Sequence, residues 1–302
     1  MDMVTPKLEQ VRGDTWCIVT GFARIPIYLA DRSHAIMIDS GLRKPDGEGI
    51  LALLDREKIH VSALLTSHYH QDHIGNHALL KDHFQCRIYM SPYAASVCAE
   101  PYNMFSGNYE AYHISQKHLA ALACKADQVI DLSRNSLRVE EAEFSILHLP
   151  GHAQEQLGFV TPDGVAYLAD TVLSEPIFRA IRLPYITYCT QDLQAKESLK
   201  ELPYDCYLLA HNEVRDEIRT LAQKNIENIQ EKLSLIESMA DSWITMEQLT
   251  ARVIERLGVN TGSVGRVFGA KRNMQVFAEH LLETQRLTVR AREGFIEYIA
   301  TE

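Results

Sequence analysis

Short apolar runs bounded by turn residues recur along the N-terminal part of the chain. Runs of this length, rich in β-branched residues, are typical of β-strands. The strands they predict cover residues 16–21, 25–30, 35–38, 61–66, 86–90, 137–139, 143–149, 157–161, 165–169 and 206–210. The run at 61–66 is almost wholly apolar, which indicates a strand that is covered on both of its faces.

Stretches with apolar residues three and four positions apart predict helices. They cover residues 46–57, 78–84, 192–202, 218–239, 246–257, 263–268 and 274–284. Two alternating runs around Arg292, Glu293 and Gly294 predict a hairpin at the end of the chain. Residues 101–127 are aromatic-rich and lack the strand pattern, which predicts a helical insertion or a long functional loop.

The order of these elements divides the chain in two. Strands mixed with helices run to about residue 215, and helices followed by a hairpin occupy the rest. We therefore predict an α+β fold with one domain at 1–215 and a small helical domain at 216–302. Helices followed by a terminal hairpin are typical of a winged-helix-like module.

Composition narrows the class of protein. With 46% hydrophobic and 23% charged residues among 302, the chain has the balance of a globular protein, which excludes a disordered chain or a coiled-coil rod. A net charge of −10 disfavours non-specific binding of nucleic acid.

The six cysteines form no C-x-x-C pair, and no signal peptide or apolar stretch long enough to span a membrane is visible. We predict a cytoplasmic protein with reduced thiols and no membrane contact.

The strongest chemical signal is the segment 66–76, TSHYHQDHIGN. It carries His68, His70, Asp72 and His73 directly after the apolar strand at 61–66. Imidazole and carboxylate groups are good ligands for borderline divalent metals. Two histidines two positions apart on an extended turn can face one point, and the next pair can face a second. The segment therefore predicts a metal site.

This segment resembles the H-x-H-x-D-H signature of the metallo-β-lactamase superfamily. Four further segments match in the expected order, and they are IMIDSG at 36–41, LPGH at 149–152, YLADT at 167–171 and YLLAH at 207–211. Five ordered matches are far more specific than one motif. The resemblance implies an αββα metallo-β-lactamase sandwich with a glyoxalase II-like core as the catalytic domain.

The resemblance also implies a binuclear metal centre. Its ligands would be His68, His70 and His152 for one metal and Asp72, His73 and His211 for the other, with Asp170 bridging both. A hydroxide shared by the two metals would be the nucleophile, and Asp72 would be catalytic by passing a proton to the leaving group. Asp39 would support the metal-binding turn. We expect two divalent ions, most often zinc, although these ligands suit manganese or iron equally.

Loops near the strand ends are expected to form the substrate walls. The candidate substrate-binding residues are Tyr109, Arg179, Arg182, Tyr185 and Tyr188. In this interpretation an arginine pairs with an anionic group of the substrate inside an apolar mouth. In the alternative interpretation the aromatic residues only pack an added helix onto the sandwich.

Three functions remain open from sequence. The first is hydrolysis of a small acyl substrate such as a thioester, a lactone or a related ester. The second is a metal-dependent endoribonuclease or phosphodiesterase, and the third is a regulatory protein whose C-terminal module contacts nucleic acid. Residues 241–302 hold eight basic and eight acidic residues, so they lack the basic excess of a nucleic-acid binder. A phosphate-contacting patch of Lys271, Arg272, Arg290 and Arg292 stays possible, as does a homodimer contact on this face.

Overall fold

The computed structural model describes residues 5–104, 121–211 and 213–301 of the chain. Within them, seven strands form a first sheet in chain order. They are β1 (Lys7–Arg12), β2 (Thr15–Val19), β3 (Arg24–Leu29), β4 (His34–Ile38), β5 (His60–Leu65), β6 (Arg87–Met90) and β7 (Gln128–Val129). β1 to β4 pair antiparallel, whereas β4 to β7 pair parallel. The parallel strands bring their carboxyl ends to the same edge of the sheet.

A second sheet faces the first. Its strands are β8 (Ser136–Val139), β9 (Ala142–His148), β10 (Leu157–Val160), β11 (Ala166–Tyr167), β12 (Tyr207–Leu208) and β13 (Val214–Arg215). They lie in the order β13-β12-β11-β10-β9-β8. The β11–β12 pair is parallel, so the residues that follow these two strands emerge side by side.

Helices cover the outer faces of both sheets. Those in this part of the chain are α1 (Gly47–Glu57), α2 (Gln71–Ile74), α3 (His77–Phe84), α4 (Pro92–Cys98), α5 (Glu175–Ile181) and α6 (Cys189–Leu199). Ile50, Leu53 and Leu54 of α1 pack against the outer face of the first sheet. Leu199 at the end of α6 packs on the outer face of the second. The arrangement is the αββα sandwich that the resemblance implied.

The strand β4 explains why this half of the sequence reads as nearly continuous apolar runs. Ile36 and Ile38 point into the core between the two sheets, together with Phe144 and Phe159 of the second sheet. Met37, on the opposite face of β4, packs beneath the helices. Because successive side chains alternate between two buried faces, every position of the strand from Ala35 to Ile38 is apolar.

The C-terminal segment, residues 219–301, has its own sheet, and its apolar core also includes Leu183, Ile186 and Cys189. Its elements are α7 (Arg219–Met239), β14 (Ile244–Thr245), α8 (Met246–Leu257), α9 (Val264–Glu283), β15 (Leu287–Arg292) and β16 (Phe295–Ala300). The strands pair in the order β14-β16-β15. Thr245 and Gln248 form a capping box at the start of α8, and Gly258 ends that helix with a φ of 65°. The left-handed conformation at Gly258 is one that glycine adopts without strain.

One element prediction was wrong. The separate helices predicted at 263–268 and 274–284 are one helix, α9, because the glycine at 269 lies on an exposed face and does not break the hydrogen-bond ladder. Residues 174–190, which carry four of the candidate substrate residues, contain α5, as in the alternative interpretation of an added helix. Pro176 in its first turn is a helix-start signal that the aromatic composition of this stretch obscured.

Two further expectations concern the cysteines and membrane-spanning helices. All six cysteines are buried and unpaired, as small apolar residues of the core would be. Among the described residues, the helices lack the length and apolarity needed to cross a bilayer.

Candidate metal centre

Three histidines meet at the edge where β5 and β9 end, and we call them the first cluster. His68 and His70 lie on the turn after β5, and His152 lies on the turn after β9. The Nδ1 atom of His70 is 3.0 Å from Nε2 of His68 and 3.0 Å from Nε2 of His152. His68 and His70 are buried and His152 is nearly so. Three ring nitrogens therefore converge on one point.

Four further side chains form the second cluster beside the first. They are Asp72 and His73 in α2, Asp170 after β11 and His211 after β12. The Nε2 atom of His73 is 3.4 Å from Oδ1 of Asp170 and 3.8 Å from Oδ2 of Asp72. The Nε2 atom of His211 is 3.3 Å and 3.6 Å from the same two oxygens. Two imidazoles and two carboxylates thus face a common centre.

Asp170 faces both clusters with different oxygens. Its Oδ1 atom lies among the second cluster, whereas its Oδ2 atom is 3.4 Å from Nε2 of His152 in the first. The carboxylate is buried between the two groups of histidines. This is the position that a ligand shared by two cations requires.

Asp39 holds the turn that carries four of these side chains. Its Oδ2 atom accepts hydrogen bonds from His73 Nδ1 at 2.8 Å, from Tyr167 Oη at 2.8 Å and from Ser67 Oγ at 2.6 Å. Asp39 has a φ of 64°, a left-handed conformation that Asp tolerates better than most residues. With Nδ1 of His73 donating to Asp39, the lone pair of Nε2 points into the second cluster.

Backbone carbonyls orient two more imidazoles in the same way. The Nδ1 atom of His152 donates to the carbonyl of Tyr185 at 3.1 Å, and that of His211 donates to the carbonyl of Phe22 at 3.1 Å. A carbonyl only accepts, so each ring carries its proton on Nδ1 and presents the Nε2 lone pair to its cluster.

Burial and neighbouring charge separate the two clusters electrostatically. Burial lowers the pKa of His68 and His70 well below the ordinary value, and it lowers the pKa of His152 to about 4. Burial alone would also lower the pKa of His73, but the carboxylates of Asp170 and Asp39 raise it well above the ordinary value. Burial therefore favours the neutral imidazole in the first cluster, whereas the carboxylates favour positive charge in the second.

Acceptor atoms left without a donor test whether a cation fits here. Within the described residues, His73 Nε2 and Asp170 Oδ1 are buried and lack a hydrogen-bond partner, although both face the second cluster. A buried polar atom without a partner carries a free-energy cost that a bound cation removes. Three nitrogens in one cluster, and two nitrogens with two oxygens in the other, are donor sets suited to zinc and similar divalent metals.

A small cavity with mixed polar and apolar walls adjoins the clusters. Its walls include His152, Asp170, Leu173, Phe178 and Tyr185. A buried ion pair also borders it, because Lys196 Nζ lies 2.5 Å from Asp192 Oδ2 on helix α6. Gly151 lets the turn that carries His152 approach this helix, since a Cβ there would lie 2.2 Å from the Cα of Asp192.

The structure brings one of the predicted substrate residues to the clusters. The ring of Tyr185 packs edge-on against His70, with centroids 5.1 Å apart. Arg179 and Arg182 instead line a surface groove on the far side of Phe178, where Arg179 pairs with Glu175.

The other two predicted substrate residues are Tyr188 and Tyr109. The hydroxyl of Tyr188 donates to Glu283 of α9 at 3.0 Å, away from the clusters. Tyr109 lies outside the described residues, as does most of the predicted insertion at 101–127.

Sequence reasoning missed several residues that build the centre. Tyr167 reads as one apolar position of a buried strand, yet its hydroxyl binds Asp39. The i, i+4 spacing of Asp192 and Lys196 was a visible signal for their ion pair, but not for its burial beside His152. The hydrogen bonds from His211 and His152 to the backbone carbonyls of Phe22 and Tyr185 could not be predicted, because every residue has a carbonyl.

The basic residues that suggested phosphate contacts have partners in the protein. Lys271 pairs with Glu247, Arg290 with Glu297, and Arg292 with Glu293. Arg290 also stacks on the ring of Trp243. Arg272 faces inward, with its guanidinium carbon 3.8 Å from the centroid of the Tyr185 ring.

Comparison with known proteins agrees with this geometry. A sequence profile of the metallo-beta-lactamase superfamily matches residues 21–211, which include both clusters. The hydroxyacylglutathione hydrolase of Rhodopseudomonas palustris is 28% identical over 43% of this chain and 41% of its own length. Hydroxyacylglutathione hydrolase GloC of Haemophilus influenzae is 27% identical over 49% of this chain and 66% of its own. The chain thus spans about half the length of these curated relatives.

Solved structures extend the similarity of fold to the C-terminal segment. A metallo-beta-lactamase family protein from Thermus thermophilus superposes with a TM-score of 0.71 over 92% of this chain and 94% of its own, at 16% identity. A beta-lactamase domain protein from Burkholderia ambifaria gives 0.75 over 98% of this chain and 94% of its own, at 14% identity. At these identities the likeness concerns the fold alone.

Proposed function

The chain belongs to the metallo-beta-lactamase superfamily, and from that membership we propose that it is a binuclear metal-dependent hydrolase. The observation that carries the proposal is the position of Asp170, whose two oxygens face two separate groups of metal-compatible side chains. His68, His70, His152 and Asp170 would hold one cation, and Asp72, His73, His211 and Asp170 the other. When bound, divalent cations supply Lewis-acid activation of water and stabilise developing negative charge. Zinc is the ion we expect first.

Asp72 is the side chain of the two clusters best suited to move a proton. Its side chain keeps 20% of its exposure, against 8% for Asp170, so it reaches the open side of the centre. Burial raises the pKa of the Asp72 carboxyl. Asp170, in contrast, is held anionic because His211 and His73 lower its pKa well below the ordinary value, against the opposing effect of burial.

For the substrate we propose a small acyl compound, namely a thioester, a lactone or a related ester. Two relatives bear the name hydroxyacylglutathione hydrolase, which supports an acyl substrate. Leu173, Phe178 and Pro184 also give the small cavity beside His152 an apolar part that an acyl group would contact. The partners found for Lys271, Arg290 and Arg292 weaken the nuclease alternative, because paired charges have less to offer a phosphate backbone.

We further propose that the C-terminal segment is a winged-helix-like module. Its order of helix, short strand, two helices and hairpin supports this, as does its separate three-stranded sheet.

A panel assay tests the proposed reaction. Protein reconstituted with zinc would be offered acyl-thioesters, lactones, phosphodiesters and short RNA. We expect hydrolysis of an acyl substrate that disappears with a chelator and with Asp170→Asn. His83→Gln is the matched control, because His83 is an exposed histidine that pairs with Asp55 and belongs to neither cluster. Metal-dependent cleavage of RNA without any acyl hydrolysis would overturn the proposal.

A further inference from the structure

The loop from Leu183 to Tyr188 connects the first cluster to the C-terminal segment. On the cluster side, the carbonyl of Tyr185 accepts from His152 Nδ1, and the ring of Tyr185 packs against His152 with centroids 5.5 Å apart. The hydroxyl of Thr187 donates to the carbonyl of His152 at 2.8 Å. Three contacts from this loop therefore fix the backbone and the ring of one candidate ligand.

The other side of the loop is buried in the core of the C-terminal segment. Leu183 and Ile186 pack in one cluster with Met274 and Phe277 of helix α9. The side-chain amide of Asn273 donates to the carbonyl of Leu183 at 3.3 Å. The position of the loop is thus set by α9.

Arg272 of α9 makes the most direct of these connections. Its guanidinium donates to the carbonyl of Ile186 and, at 3.2 Å, to the hydroxyl of Thr187. The same group stacks on the ring of Tyr185. The Thr187 hydroxyl that accepts from Arg272 is the one that donates to His152, so Arg272 and His152 are separated by a single side chain.

We propose that Arg272 is a positioning residue for the first cluster, acting from the C-terminal segment through residues 185–187 on His152. By holding this loop it fixes the direction of the His152 lone pair and so raises the affinity of the first cluster for a divalent cation. The proposal rests on the metal-binding part of the proposed function and is independent of the substrate. Groups that orient a metal ligand typically change affinity by about 10–100-fold when they are removed.

The geometry requires arginine rather than any cation. A planar guanidinium can stack on a ring while its nitrogens reach two acceptors, whereas an ammonium is a compact charge on a flexible stem. Arg272→Lys therefore keeps the charge and loses the clamp, and Arg272→Met loses both. Thr187→Val removes only the hydroxyl between Arg272 and His152 and keeps the shape of the side chain.

The test measures binding of the metal alone. Zinc affinity would be determined by competition with a chelator, and cobalt would be substituted to record the absorption of each site. His152→Ala and His211→Ala assign the two binding events to the first and second clusters. Lys271→Met is the matched control, because Lys271 neighbours Arg272 on α9 but pairs with Glu247 at the surface.

We expect three variants, Arg272→Met, Arg272→Lys and Thr187→Val, each to weaken metal binding at the first cluster about tenfold or more. Each should also change the cobalt spectrum of that cluster. In these variants the metal affinity of the second cluster should match wild type. The Lys271→Met protein should match wild type at both clusters. Equal weakening of both events, or none, would overturn the role of Arg272. Zinc binding with the expected selectivity but no hydrolysis of any acyl substrate would instead count against the proposed reaction alone.

Discussion

Asp39 and His73 lie 34 positions apart in sequence, yet Oδ2 of one is 2.8 Å from Nδ1 of the other. The contact joins the end of β4 to helix α2, and both side chains are buried. Because the hydrogen bond fixes which nitrogen of His73 faces the second cluster, Asp39 controls a metal ligand without touching the metal.

Asp39→Asn is expected to lower the metal affinity of the second cluster about 10–100-fold. Asparagine tolerates the left-handed backbone of this position, so the change removes the charge and leaves the turn intact. Zinc competition with a chelator measures the effect, and the first cluster should be affected much less.

Tyr167→Phe provides the comparison for Asp39→Asn. It removes one of the hydrogen bonds to the Asp39 carboxylate and keeps the pairing with His73. We expect a smaller loss of affinity than for Asp39→Asn. An equal or larger loss would mean that the packing of this strand, rather than the charge of Asp39, governs the second cluster.

Asp170→Ala should weaken both metal sites together, because its two oxygens face different clusters. His152→Ala, in contrast, should weaken the first site only. Elemental analysis after dialysis should give two metals per chain for wild type and one for His152→Ala. Asp170→Ala should contain fewer metals per chain than wild type. A wild-type protein that never exceeds one metal under saturating conditions would contradict the binuclear centre.

Asp72→Asn should lower kcat on an acyl substrate about a hundredfold or more while KM changes little. The amide keeps the shape of the carboxyl and one ligand oxygen, but it cannot carry the proton. Metal content must be measured in parallel. If kcat falls only in proportion to lost metal, Asp72 is a ligand without a separate proton-transfer role.

Lys196→Met should destabilise the fold by about 3–5 kcal/mol, because it leaves the buried Asp192 without its partner. Asp192→Asn combined with Lys196→Met should recover part of this loss, since no charge is then left unpaired. Urea unfolding of the metal-free proteins provides the free energies. A double variant less stable than Lys196→Met would show that Asp192 has other favourable contacts.

The sandwich and the seven candidate ligands could be predicted from sequence because their signals are local. The short apolar run that contains Ile36 and Ile38 predicts a strand without any information from distant residues. His68, His70, Asp72 and His73 likewise fall within one short motif. The order of the matching segments then fixed which distant side chains should join them.

What could not be predicted depends on where separate segments meet. Nothing near Arg272 in the sequence refers to Tyr185, and the charge of Arg272 suggested a surface phosphate contact instead of an inward clamp. Arg179 likewise looked suitable for an anionic substrate until α5 directed it to Glu175 on the outer surface. In both cases tertiary packing decided the role of a residue whose chemistry alone was ambiguous.

Both clusters draw their side chains from both sheets. His68 and His70 follow the first sheet and His152 the second, while Asp72 and His73 face Asp170 and His211 across the same seam. A cation held at either cluster therefore cross-links the two sheets of the sandwich. The ligands that it joins from the two sheets lie more than eighty positions apart in sequence, as His70 and His152 do. Mechanical pulling on the two halves should meet its greatest resistance at this edge when metal is present. Loss of the metal would remove the stabilisation that a bound cation gives this edge.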